Sequence, residues 1–151
     1  MINQLAIQLQ EMQVLAEQWE TTNPAVSSSS VGWHLLHNLQ VINGVVATLA
    51  ASNPAEYAPK HTFRKWYVLF TKKIPRGKAR APKGVVPETI SKEELDAALD
   101  RASLSVLNLL NQQPKQFFPH PLFGHLNTKL ATRFLWIHTE HHLKIVRDIL
   151  A

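Results

Sequence analysis

Three histidines, His138, His141 and His142, fall within the segment FLWIHTEHHLKIVRDIL, residues 134–150. In a helix, Phe134, His138, His142, Ile145 and Ile149 recur at steps of three and four and share one face. Two imidazoles then stand one turn apart among apolar neighbours. A neutral imidazole in an apolar core needs partners for its ring nitrogens, and a pair at i and i+4 can share a metal ion. The alternative is a pair of core histidines satisfied by hydrogen bonds, or a pair of which one faces water. The other long apolar segment with histidines is WHLLHNLQVINGVVATLAA, residues 33–51. There His37 is followed by Val41, Val45 and Leu49 at helical spacing, which makes it the natural third ligand. His34, at the very start of the run, can replace or join it and ranks below it. Three histidines from two helices, without a carboxylate or cysteine, leave a fourth position open, as in catalytic rather than structural zinc sites. Such a site lowers the pKa of bound water to around 7, or binds a thiol as thiolate. The expected ion is divalent, zinc or nickel first, although imidazole also serves iron and copper.

The rest of the chain has to hold these residues in place. Its 151 residues suit one domain, 1–151, with a proper core. The absence of cysteine excludes disulfides, thiolate metal sites and cysteine nucleophiles within the chain. No basic n-region leads the N-terminus and no run approaches the roughly 18 apolar residues of a membrane span, so a cytoplasmic protein is expected. The pattern predicts an all-α fold, a four-helix bundle with a long crossover between the second and third long helices. Residues 3–20 carry an apolar stripe of Leu5, Leu9, Met12, Leu15, Ala16 and Trp19. Residues 31–51 are apolar almost all round and should be the most buried helix, capped by Ser29 or Ser30, with Gly44 marking a close helix crossing. Residues 91–112 start at a capping box, Ser91 with Glu94 at N3, and residues 128–151 are capped by Asn127. The crossover contains one short helix, residues 62–71, with Phe63, Trp66, Tyr67 and Phe70 on its apolar side; the rest reads as a basic loop beside the site.

The pieces VGWHLLHNL, PHPLFGHL and WIHTEHHLKIV, in this order and spacing, resemble the DinB-like (YfiT-like) superfamily of metal-dependent four-helix-bundle proteins. They are most similar to a branch known only as a domain of unknown function, in which an HP-x-FG segment precedes a helix bearing H-x-x-H-H-L. The resemblance spans most of the chain. It implies a divalent metal bound by one histidine of the second bundle helix and a His-x-x-x-His pair of the last, here His37, His138 and His142. It also implies an enzyme acting on a small molecule, first a transferase using a low-molecular-weight thiol such as bacillithiol or mycothiol as co-substrate, then a hydrolase. His141 and Glu140 are the candidate outer partners of the ligands, with solvent exposure the plainer account of Glu140. One departure is local: the branch often continues HHL with a basic residue and then Gln, whereas Lys144 is followed by Ile145.

Two other features have bland and functional readings. In PKQFFPHPLFGHLN, Phe117, Phe118, Leu122 and Phe123 are expected to plug the bundle end, while His120 or His125 can reach an anion. The formal charge is +5, yet residues 57–87 carry nine Lys or Arg and no Asp or Glu, leaving −4 for the remainder. That stretch is a solvated loop, a lid that attracts an anionic substrate, or the surface of a nucleic-acid- or partner-binding module whose metal site is structural or lost. No nucleic-acid-binding motif accompanies it, so duplex binding is not expected, whereas a homodimer is compatible with the exposed faces of such a bundle.

Overall fold

The computed structural model describes residues 1–76, 83–87 and 89–151. The middle of the basic crossover, with Lys78 and Arg80, lies outside the described residues. Four long helices form the body: α1 (Ile2–Leu15), α2 (Val31–Ala51), α4 (Lys92–Asn108) and α5 (Thr128–Leu150), with a short α3 (Phe63–Thr71) in the crossover. Helix α2 packs against both α4 and α5, and α1 packs against the same two, so α1 and α2 occupy opposite corners of the bundle.

Helix α2 is helical throughout, so the β-branched VINGVVAT run does not become a strand. Thirteen of its 21 residues are buried, as an all-round apolar helix requires. Leu39 and Ile42 are fully buried, each worth roughly 1.5–3 kcal/mol in area removed from water. Its start is set by Ser30, whose hydroxyl accepts from the Trp33 amide at 3.2 Å, a cap worth about 1 kcal/mol. That cap fixes the phase in which His34 and His37 enter the bundle. Asn127 likewise accepts from the Leu130 amide at 3.0 Å and starts the helix that carries His138 and His142. At α4, Ser91 accepts from the Glu94 amide at 3.1 Å, but the Glu94 carboxylate accepts from Thr89 at 3.4 Å and so does not close the box.

Three local expectations are corrected. Gly44 is exposed and nothing lies near the position of a β-carbon, so no helix crosses there. The close approach is at Gly32, where a β-carbon would meet the Trp19 carbonyl oxygen at 2.9 Å and Ile90 at 3.0 Å. Helix α3 is turned the other way: Lys65, Val68 and Leu69 are buried, while Phe63 and Phe70 are each 84% exposed. Both faces have helical spacing; the one that meets α5 is pinned by Arg133, whose Nε donates to the Leu69 carbonyl at 2.9 Å. Thirdly, PKQFFPHPLFGHLN is a hairpin, β1 (Phe117–His120) paired antiparallel with β2 (Gly124–Asn127). Its three-residue loop ends at Gly124 with φ of 69°, and a β-carbon there would press on Lys60 at 2.9 Å. Phe117 and Phe123 are buried, but Leu122 is 48% exposed and takes no part in the plug.

His120 belongs to this hairpin core. Its ring stacks on Phe123 at 4.1 Å, meets Phe134 edge-on at 4.8 Å, and accepts from the Leu122 amide through Nδ1 at 3.1 Å. Burial lowers its pKa from 6.5 to about 4. A histidine held neutral in the folded state stabilises fully above the unfolded pKa and loses that contribution as pH falls from 6.5 through 4. The loss at His120 amounts to at most about 3 kcal/mol. Urea melts at pH 7 and pH 4 should therefore show a smaller acid destabilisation in His120→Asn, which keeps an acceptor for the Leu122 amide, than in wild type. In the same melts at pH 7, Gly44→Ala should stabilise by about 0.5–1 kcal/mol and Gly32→Ala should destabilise.

Candidate metal centre

Helix α2 presents His34, His37 and Asn38 toward α5, and α5 answers with His138, Thr139 and His142. His37 and His142 are buried and His138 is partly buried. One ring nitrogen from each of these three lies within 4.8 Å of those of the other two. Nitrogens around a tetrahedral zinc at 2.0–2.1 Å are about 3.4 Å apart, so the three would have to draw closer to share an ion. The three sequence-predicted ligands are thus brought together, from the two helices expected.

The decisive feature is what occupies the other nitrogens. His37 Nδ1 is 2.5 Å from the Val85 carbonyl oxygen, which can only accept, so Nδ1 carries the proton and Nε2 the lone pair. His138 Nδ1 donates in the same way to Asn38 Oδ1 at 3.0 Å, and Thr139 adds a second donor to that oxygen at 3.4 Å. His142 Nδ1 meets His34 Nδ1 at 3.0 Å, and His34 Nε2 meets the Ser27 hydroxyl at 2.9 Å. Two proton arrangements satisfy this chain. If His142 donates to His34 and His34 to Ser27, Nε2 of His142 is left with a free lone pair; in the reverse arrangement Nε2 carries the proton and cannot ligate. Metal binding selects the first. Each ligand would then be oriented through Nδ1 by an outer acceptor, the arrangement usual for metal-bound histidine.

The electrostatics agree with that protonation. Burial lowers the pKa of His37, of His138 well below 6.5, and of His142, and the closeness of the imidazoles lowers the last two further. His34 is lowered to about 4, first by burial and then by His37. All four are neutral at pH 7, which is the form that binds metals. Aromatic rings wall the cluster: Trp33 stacks on His37 at 5.1 Å, and Phe134 lies 5.5 Å from His138.

The outer candidates sit apart from the trio. His141 is partly buried, its ring edge-on to His142 at 5.1 Å, with burial and then Arg76 lowering its pKa. Glu140 accepts from Arg147 at 2.9 Å and from Gln8 at 3.2 Å, and so is already committed to pairing α5 with α1. His125 accepts from the Ala58 amide at 3.1 Å and stacks on Phe117 at 4.1 Å, away from the cluster in the hairpin. Sequence reasoning missed Ser27, Asn38 and Val85. Asn38 had a readable signal, a fully buried amide in the midst of an apolar helix, next to a candidate ligand. Val85 acts through its carbonyl and left none.

A family model described as "Protein of unknown function (DUF1569)" matches residues 2–149. The chain belongs to the DUF1569 family. No curated protein and no solved structure matches it. The segments that bear the DUF1569 chain's histidine cluster all lie inside the matched range.

The outer partners of the DUF1569 chain lead to a test. In His34→Leu the Nδ1 proton of His142 loses its acceptor, and cobalt(II) affinity, followed by the visible absorbance of the ion, should fall about 10- to 100-fold. His34→Asn, which puts a carbonyl oxygen near the position of Nδ1, should recover most of it. Equal affinity in both variants and wild type would show that His34 only packs.

Proposed function

We propose that this chain is a metal-dependent enzyme of the DinB-like superfamily that acts on a small molecule, with His37, His138 and His142 holding a divalent ion, zinc or nickel first. The observation that carries it is that one ring nitrogen each of His37, His138 and His142 lies within 4.8 Å of the other two, while Nδ1 of His37 and of His138 is engaged by an outer acceptor and Nδ1 of His142 by His34. An all-imidazole donor set suits zinc, nickel, iron or copper and leaves room for a further ligand. An ion there would act as a Lewis acid toward water or a thiol. The chain's own contribution is to keep the imidazoles neutral, to fix the tautomers of His37 and His138, and to wall the cluster with Trp33 and Phe134. A thiol-dependent transferase, with a low-molecular-weight thiol as co-substrate, is the reaction class first supported by the superfamily resemblance, and a hydrolase the second.

A second reading is favoured by α3, which exposes Phe63 and Phe70 along with about half of Trp66 and Tyr67. In that case the bundle is a partner-binding module, a second copy of the chain included, and the histidine cluster is structural.

Elemental analysis of protein purified without a tag or chelator separates the two. The enzyme reading expects near-stoichiometric divalent metal in wild type and its loss in both His138→Ala and His142→Ala. No metal, even after incubation with zinc and nickel, would sink it and leave these four residues of α3 as the place to look.

A further inference from the structure

The crossover and α5 together line an open cavity of about 340 Å³ on the flank of the histidine cluster. That volume lies at the lower end of the usual range for small-molecule sites, about 300–1,000 Å³. Four cations line it, Lys72, Lys73 and Arg76 from the crossover and Lys144 from α5, against one carboxylate, Glu140. The carboxylate is already paired with Arg147, and Arg76 with Asp148 at 2.7 Å. Among the described residues no carboxylate lies within ion-pair distance of Lys72, Lys73 or Lys144. Three lysines from two separate elements therefore line one concavity without an ion-pair partner among the described residues.

Two further observations bear on this cavity. Lys72 ends α3 in the left-handed conformation, φ 56° and ψ 28°, where glycine is the ordinary choice. A lysine there costs the backbone about 1 kcal/mol, and its ammonium lies 5.1 Å from the Trp136 ring centroid. The cavity is also lined by His141, whose ring touches that of His142. One imidazole thus separates the cationic space from the ligand cluster.

We propose that this cavity binds the oxyanion end, carboxylate or phosphate, of a small-molecule substrate whose reactive end reaches the histidine cluster. The oxyanion site stands on the cavity and its charges; its coupling to the cluster rests on the metal-centre reading above. The basic stretch of the crossover then has a specific task, since it supplies three of the four cations to one small site. A concavity of this size suits a small molecule and gives a nucleic-acid backbone no extended track.

Two titrations test this. In the first, metal-free protein at 100 mM salt is titrated calorimetrically with inorganic pyrophosphate and, separately, with succinate, which distinguishes the two kinds of oxyanion. At least one should bind saturably at one site per chain, and the K73E/K144E double variant should weaken it about tenfold or more at an unchanged melting temperature. Absence of saturable binding by both, or binding that K73E/K144E leaves intact, would overturn the oxyanion site; so would a DNA duplex binding far more tightly than either, with a steep salt dependence. In the second, cobalt(II)-loaded protein is titrated with mercaptosuccinate and with 2-mercaptoethanol, following the thiolate-to-cobalt absorption. Mercaptosuccinate should bind about tenfold more tightly, and the preference should vanish in K73E/K144E while 2-mercaptoethanol binding is kept. Equal affinities in wild type would overturn the coupling. Failure of cobalt itself to bind would instead sink the metal-centre reading, with the first titration still deciding the oxyanion site.

Discussion

The structure around the cluster depends on one constraint: an imidazole in an apolar core cannot leave its N–H without an acceptor. The three clustered histidines are engaged by three different parts of the chain. For His37 the acceptor is the carbonyl of Val85, in the turn Lys83–Val85 of the crossover. For His138 it is Asn38, from the facing helix. For His142 the chain runs through His34 to Ser27, in the segment that leads into α2. The connections of the bundle are thereby bound into its polar centre, and cannot be exchanged without disturbing the histidine cluster.

Asn38 links the largest number of these elements. Fully buried, it accepts from His138 and Thr139 through Oδ1 and points its amide nitrogen at Met12 Sδ of α1, 3.7 Å away. A sulfur is a weak acceptor, so the geometry is held mainly by the carbonyl side. With Arg147 bonding Glu11 of α1 at 2.7 Å on the outside, α1 is fastened to α5 both in the core and at the surface. The exposed pair adds little stability on its own; the same Arg147 also pairs with Glu140 at 2.9 Å and so occupies it.

The hairpin and the cluster form one continuous packing unit. Phe123 packs on His120, His120 on Phe134, and Phe134 on His138, so rings run unbroken from the β-turn to the convergent imidazoles. These aromatics keep the cluster's environment apolar and the imidazoles neutral. On the other side the surroundings change to cationic within the width of His141.

Helical periodicity was enough to place α2 and α5, because both are long, strongly patterned and bounded by capping residues, Ser30 and Asn127, whose side chains satisfy the first amides. The convergence of His37, His138 and His142 was legible for the same reason: a three- and four-residue step puts them on inward faces whichever way the loops run. What periodicity leaves open is which of two compatible faces a short element buries. In α3 the aromatic face looked apolar by composition, yet contact with α5 chose Lys65, Val68 and Leu69. Gly32 and Gly44 are alike in sequence, and only the neighbouring backbone of Trp19 distinguishes the crowded one. Tertiary structure alone decided the partners of the Nδ1 atoms, since Val85 acts through a carbonyl that every residue possesses and Ser27 is one serine of four in a row. Side-chain chemistry is written in the sequence; which backbone groups and charges meet it is settled only when the chain has packed.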